Sequence, residues 1–512
     1  MSKGRIVRKF KWLYLSPVLA FLVLACWAFA SPIGAGPDDD YHLTSIWCAS
    51  GGSQECQPGN TANTRLVSEP LTDIACYSRT PEKSADCLDG VMTNWNKANV
   101  QTDRGNFAGE YPPVYYAVMH LVAGPDLFVS ALTMRLFNAA LFVAIATSLF
   151  VLLKEERRRT LLWGWLLTLV PLGVFLIPSN NPSGWAITGV GTAFLATLGW
   201  YEAVGRRRWL LGSLLILGVV IAAGARGDGA VYAAGAVLTA SILTDHWRQS
   251  KPSSWWRVAI MPAIAVVVCA FFFAIAGQSG VAEVGFTGGA ATMPGGPPGS
   301  PRGFALAAYN LLMLPFLWTG VWGTWPLGWL DTGMPDLVPW AAASAFIAVG
   351  FVAIGRLNLR KLIAAGGVFL VLVILPVWVL TRGGNVVGEN LQPRYLLPVI
   401  VLFGLILFSM PSGKKLDLSR VQILIVLGAI WVAQLVALQV NLRRYVTGTD
   451  EQGFNLDAGA EWWWSGFPIG PTALWFIGCL AFAGLLATLW PILKTAKSQS
   501  FTEERLEAGR FS

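Results

Sequence analysis

Charge is scarce in this chain. Of its 512 residues only 13% are Asp, Glu, Lys or Arg, about half the share found in soluble globular proteins. A water-soluble enzyme of this length would divide into several domains, each needing a charged surface, and is excluded. Histidine is scarcer still, with 3 residues in all, and none stands in a His-Glu-x-x-His zinc helix. A P-loop, a dinucleotide-binding fingerprint and a Gly-x-Ser-x-Gly elbow are also missing, which removes ATP-driven pumping and zinc proteolysis from the expected chemistries. A sizeable cytoplasmic domain for a nucleotide sugar is absent too, so any chemistry is expected to face outward.

What the chain has instead is apolar: 54% hydrophobic residues, 24 Trp and 54 Gly. Runs of about 20 apolar residues, enough to cross roughly 30 Å of hydrocarbon, recur along most of it. An all-α integral membrane protein with about twelve transmembrane helices is expected. The spans are 12–31, 130–153, 160–178, 183–204, 209–224, 229–244, 257–276, 338–355, 362–380, 395–410, 421–440 and 472–493. The Ala28-Phe29-Ala30 pattern suits a cleavable signal peptide. The first run is longer than a signal core, however, and its loss would upset the alternation of the later loops, so it is kept as a span.

A net charge of +8 could signal nucleic acid, but a nucleic-acid surface needs its cations on one soluble face. Here they fall in alternate short loops: Lys3 to Lys11, Lys154 with Arg157 to Arg159, Arg206 to Arg208, Arg248 to Arg257, Arg356 to Lys361, Lys414 to Arg420 and Lys494 to Arg510. That is the positive-inside pattern, so both termini are expected in the cytoplasm and the lipid bilayer is the expected surrounding. The organisation that follows is a cytoplasmic N-terminus and first helix (1–31), a large extracytoplasmic loop (32–129), helices two to seven (130–276), a second outer loop (277–337), helices eight to twelve (338–493) and a cytoplasmic tail (494–512).

The first outer loop holds Cys48, Cys56, Cys76 and Cys87, and an even number in an exported loop reads as two disulfides with three possible pairings. Cys26, Cys269 and Cys479 lie in spans and behave as small apolar residues. The second outer loop opens with Gly295-Gly296-Pro297-Pro298-Gly299. It then becomes apolar enough to cross between Phe304 and Trp325, but a crossing there would invert every later loop, so a re-entrant segment is expected. Trp462-Trp463-Trp464 is expected at the membrane interface.

The sharpest local feature is Pro37-Asp38-Asp39-Asp40-Tyr41-His42, just after the first span. Three adjacent carboxylates repel one another. They can be a hydrated loop, a tuned proton acceptor, or a hard-cation site for Mg²⁺ or Mn²⁺ at Asp38, Asp39 and Asp40. Asp38 and His42, four apart, share a face if a helix starts here. Glu110-Tyr111-Pro112-Pro113-Val114-Tyr115-Tyr116 follows, a proline-started helix whose tyrosines either anchor at the interface or stack on sugar. His120 reads as structural. Arg135 and Arg394, at outer ends of their spans, each present a fork suited to an anionic phosphate, with snorkelling to lipid headgroups as the alternative. Arg226-Gly227-Asp228 spells an adhesion tripeptide, but in so short a turn it reads as an intramolecular ion pair.

Several separated motifs together resemble the bacterial polytopic proteins grouped as domain of unknown function 2142, placed in the C-type glycosyltransferase superfamily. They are Pro37-Asp38-Asp39-x-x-His42, Tyr111-Pro112-Pro113-x-Tyr115-Tyr116, Arg135-Leu136-x-Asn138, Gly328-Trp329-Leu330-Asp331-Thr332 and Gln392-x-Arg394-Tyr395. Pro393 stands where that family usually has Gly, and Asn180-Asn181 where it often has an Asp. The resemblance implies a C-type fold and a bacterial plasma-membrane enzyme taking a sugar from a polyprenyl-phosphate donor. The acceptor would be an envelope glycan or glycolipid, and the anomeric centre would invert. It implies a base at Asp38 or Asp39, with His42, Glu110, Tyr115, Arg135, Asn181, Asp331, Arg394 and Tyr395 binding substrate. Asp331 reads equally well as a turn residue. The rival readings are a transporter or flippase for a lipid-linked glycan, a ligase moving a whole lipid-linked polymer, and a noncatalytic assembly partner.

Overall fold

The computed structural model describes residues 8–51, 55–97, 99–244, 255–277, 301–410, 416–464 and 467–494. The Gly295 to Gly299 stretch and many basic residues of the topology pattern, among them Lys3, Arg5, Arg248, Lys251, Lys414, Lys415, Lys497, Arg505 and Arg510, lie outside the described residues.

Helices dominate, most of them long. In chain order they are α1 (Ser16–Phe29), α2 (Asp39–Trp47), α3 (Val114–His120), α4 (Leu127–Leu152), α5 (Glu155–Thr168), α6 (Ser183–Glu202), α7 (Gly205–Ala225) and α8 (Gly227–Leu243). Then come α9 (Trp255–Ile275), α10 (Phe304–Thr319), α11 (Leu337–Ile354), α12 (Leu359–Gly383), α13 (Pro393–Phe408), α14 (Arg420–Val446) and α15 (Pro471–Leu493). Among the described residues nine segments are long and apolar enough to cross a membrane, and α8 and α13 are apolar but shorter. The chain is an integral membrane protein, mostly helical.

Three features differ from the sequence expectation. The span at 160–178 is not one helix: α5 stops at Thr168, and a single turn, Leu172–Leu176, follows Pro171. The proline has no N–H to continue the ladder. The Trp462 to Trp464 run turns into the protein rather than outward as a belt: Trp463 and Trp464 are buried, and Trp464 Nε1 donates to Phe29 O at 2.8 Å. The third is a small antiparallel sheet within the otherwise helical chain, β1 (Cys56–Pro58), β2 (Arg65–Ser68) and β3 (Asn99–Thr102), in the order β1-β2-β3, with Val67 facing both Cys56 and Val100.

At the centre stands α6, buried along nearly its whole length. It packs on α7, α8 and α13. Its glycines permit this: a Cβ at Gly189 would fall 2.4 Å from Gly218 O, so only glycine lets the two backbones approach. The described residues between 32 and 126 form a cap over one end of the bundle. Disulfides Cys48–Cys56 and Cys76–Cys87 settle the pairing left open by the sequence. Tyr445 O, at the end of α14, accepts from Ala85 N at 2.9 Å and ties cap to bundle. At the other end, Arg157 of α5 binds Glu202 of α6 (2.7 Å) and Ser409 Oγ beyond α13 (2.5 Å).

The α10 segment is one helix that stops half-way along its neighbour. Asn310 Nδ2 donates to Asn385 O (3.0 Å), just past the end of α12, and Asn310 Oδ1 accepts from Val387 N (2.9 Å). Eight residues later Trp318 Nε1 reaches Leu372 O (3.1 Å), near the middle of α12. The chain then turns through Gly320–Trp322 and Gly323, whose φ of 108° favours glycine, towards the Leu327–Thr332 bridge. This turn brings Asp331 under the cap.

Candidate functional site

The three consecutive aspartates do not share one face: Asp38 and Asp40 both meet Arg104, and Asp39 turns into the protein. Asp38 sits just before α2 with φ 57°, a left-handed conformation that aspartate tolerates better than most residues. Its carbonyl accepts from His42 N (2.9 Å), so the helix begins where the spacing of Asp38 and His42 required. One reversed backbone step sends the Asp38 carboxylate outward and that of Asp39 into the protein.

Asp38 is the half-exposed member. Its Oδ2 lies 2.5 Å from Arg394 Nη2 and its Oδ1 3.1 Å from Arg104 Nη2. Arg104 also holds Asp40, at 2.9 Å. Burial would raise the Asp38 carboxyl, but Arg394, His42 and Arg104 together outweigh it and pull the pKa down to about 2. Asp39 is wholly buried. Its Oδ2 accepts from Gly36 N (3.0 Å) and lies 3.5 Å from Arg135 Nη2, while its Oδ1 is unpaired. Burial raises its pKa against the pull of Arg135. The buried fork of Arg135 is spent on backbone carbonyls, Ser31 O at 2.7 Å, Pro32 O at 2.9 Å and Ala28 O at 3.2 Å. It fastens α4 to the chain leaving α1, and a ligand on the cap side cannot reach it.

His42 is sealed from solvent, with Nδ1 2.9 Å from Tyr116 OH. Burial lowers its pKa to about 3, with Arg394, Arg226 and Arg104 adding to the effect and Asp38 opposing it. The ring is therefore neutral at ordinary pH and serves as a hydrogen-bonding group beneath Asp38. Tyr115 and Tyr116 are buried, which rules them out as lipid-interface anchors, and Tyr115 lies edge-on to Trp185 at 5.2 Å. Asn181 Nδ2 donates to Pro37 O (2.7 Å) and so supports the acidic turn from below. Glu110 accepts from Tyr41 OH at 2.9 Å on the exposed side. Tyr395 OH accepts from Arg394 Nη2 (2.9 Å), and its ring carries the guanidinium of Arg226 at 4.8 Å. Arg226 pairs with Asp228 through two 2.8 Å bonds, the intramolecular pair expected of that tripeptide.

Asp331 lies apart from this group. Its Oδ2 accepts from Arg444 Nη2 (2.8 Å) and Arg79 N (3.0 Å), and its side chain is 3% exposed. Arg444 also donates to Tyr77 O (2.9 Å) and Lys83 O (2.5 Å). The pair is a bolt between cap, α14 and the turn after α10, and substrate cannot approach it.

A cavity of about 610 Å³ opens beside Asp38, large enough for a small ligand. Asp40, Asp73, Arg79, Arg104 and Trp329 share its wall. Sequence reasoning missed Arg104 as a site residue, and also Arg444. Arg104 lies in a polar loop with no motif around it, and nothing short of the fold joins it to Asp38 and Asp40. The cation site considered at the acidic run does not fit this geometry: Asp39 points into the core, and Asp38 and Asp40 are neutralised by arginine. Among the described residues, no group of His, Cys, Asp and Glu is arranged to hold a metal ion.

No curated protein and no solved structure matches the chain. Residues 21–403, which run from α1 through most of α13 and so include every residue around the Asp38 cavity, match the family described as "Predicted membrane protein (DUF2142)", and the chain belongs to that family.

Proposed function

We propose that the protein is a membrane glycosyltransferase of the C type. It transfers a sugar from a polyprenyl-phosphate donor to an envelope glycan or glycolipid on the extracytoplasmic face of a bacterial plasma membrane, with both termini inside. The observation that carries this reading is the half-exposed Asp38 carboxylate at a polar cavity, held by Arg394 from the bundle and Arg104 from the cap. A transfer of this kind needs a base for the acceptor hydroxyl and a cation for the departing phosphate, and these are the groups that meet.

The step balances without a co-reactant. The acceptor O–H gives its proton to Asp38, its oxygen forms the new bond to the anomeric carbon from the far side, and the bond to the donor phosphate oxygen breaks. The released lipid phosphate carries the electron pair, stabilised by Arg394. In the resting pair Asp38 is a weak base, because both its neighbours are cations. A donor phosphate competing for Arg394 removes one of them, so donor binding raises the basicity of Asp38 just when an acceptor can use it. Asp39, Arg135, Asn181, His42 and Tyr116 act as positioning residues.

The test is transfer of labelled sugar from a polyprenyl-phosphate donor by purified protein, with the lipid and envelope-glycan profile of a deletion strain to identify acceptor and sugar. Asp38→Asn is expected to lose transfer while retaining donor binding. Translocation of an intact glycolipid with no new glycosidic bond would overturn the reading in favour of a flippase.

A further inference from the structure

Two apolar furrows run along the flanks of the bundle, and they differ in what stands at their ends. One, of about 260 Å³, lies between α1, α4, α5 and α15, with Pro17, Phe142, Phe150 and Phe482 in its wall and no charged side chain. The other, of about 410 Å³, lies between α8, α9, α12 and α13, with Ala230, Tyr232, Gly235, Cys269 and Leu402 in its wall. Its lining is as apolar as the first. It begins, however, one helical turn below Arg226: Ala230 N donates to Arg226 O at 3.2 Å.

Above that end two guanidinium groups share one aromatic ring. Arg226 and Arg394, each 5% exposed, lie 4.8 and 4.9 Å from the centroid of Tyr395. Each has a single carboxylate, Asp228 and Asp38. Arg394 keeps Nε and Nη1 buried with no acceptor, and an unmet donor on a buried cation is costly unless an anion arrives. We infer that the furrow between α8 and α13 is the seat of one hydrocarbon chain of a lipid phosphate. Its phosphate would take the free donors of Arg394 beside Arg226, and its chain would leave along Gly235 into the membrane. A single furrow fits a prenyl chain rather than the paired chains of a phospholipid. The inference rests on the donor class proposed above and adds the route by which the donor enters.

Gly235 makes the test clean, because a side chain added there would meet nothing within 4 Å and would project into open space. The same holds for Gly428 on α14, away from the furrow. The probe is a polyprenyl monophosphate carrying a photoreactive diazirine in its first isoprene units, added to the full chain in nanodiscs and located by peptide mass spectrometry. Labelling is expected on α8 and α13, falling about tenfold in Gly235→Phe and unchanged in Gly428→Phe. The corresponding polyprenol and a diacyl phosphatidic acid are not expected to compete. Labelling of α4 and α15 instead, labelling undiminished in Gly235→Phe, or equal competition by the phosphatidic acid overturns the inference. Sugar transfer at full rate by Gly235→Phe would remove the furrow and leave the transferase reading standing. Labelling as expected in a protein that transfers no sugar would do the reverse.

Discussion

Two aspartate–arginine pairs in this protein have nearly the same local chemistry and opposite surroundings. Asp331 and Arg444 meet at 2.8 Å with side chains 3% and 0% exposed, and Arg444 has three acceptors in all. Asp38 and Arg394 meet at 2.5 Å, but Asp38 is 35% exposed at a cavity and Arg394 keeps two nitrogens unpaired. The first pair leaves only Arg444 Nε without an acceptor and is closed to solvent, so its strength goes into holding cap to bundle. The second is incomplete, so it can exchange its partners for those of a ligand. Satisfaction and access, rather than residue type, separate the bolt from the site.

The sharpest way to break this contrast is to remove one half of the bolt. Asp331→Asn leaves a buried arginine uncompensated and is expected to cost about 3–5 kcal/mol of stability, read as lost thermal stability and lost monodisperse protein. An unchanged melting temperature would mean the pair is not structural. The matching change at the site, Asp38→Asn, also takes the carboxylate from a buried arginine, but at an open cavity, so it is expected to lower melting less than Asp331→Asn and to lower sugar transfer by about 10²–10⁴-fold. Parallel losses of stability and activity would erase the distinction drawn here. Asp39→Asn should fall between them, weakening the Arg135 anchor and lowering both quantities by a smaller factor. Arg104→Gln is expected to have the smallest effect. Its pairs are exposed, so about 0–1 kcal/mol of stability is at stake, and the loss in donor affinity should shrink at high salt.

Acidity offers a subtler comparison. His42 is held neutral, with its pKa down from 6.5 to about 3, so the unfolded chain binds more protons than the folded one between those values. Stability is therefore fully present above the unfolded pKa and is lost as pH falls from 6.5 towards 3. Asp38, depressed from 3.8 to about 2, adds a further loss below pH 4. Asp39 works the other way, since its raised pKa favours the acid form in the folded state. Thermal melts of wild type and His42→Gln across pH 7 to 4 check the sign: the wild-type curve should slope more steeply.

Much of the fold can be read from the sequence because each signal is local. A run of twenty apolar residues marks a helix wherever it lands, and α1, α4, α7, α9, α11, α12, α14 and α15 follow from that rule. The rule failed where one residue overrode the average, as Pro171 did in dividing the span at 160–178. Length and composition were equally silent about where α10 ends, since that depends on Asn310 and Trp318 finding α12. Around the cavity, the acidic run and Arg394 stood out in the sequence and come together, whereas Arg135 and Asp331, chosen for the same charge logic, prove committed to the scaffold. Arg104 had no signal to find.

The sequence by itself determined that this is a helical membrane protein of one family, with four cysteines in a long loop and an acidic turn after the first helix, because hydrophobic length and residue order are properties of the chain alone. Only the tertiary structure decided which aspartates face the cavity and which the core, which cysteines pair and which arginine answers which acid. The reason is geometric. The direction of adjacent carboxylates turns on the φ angle of Asp38, and the groups that neutralise it lie 66 and 356 residues further along the chain.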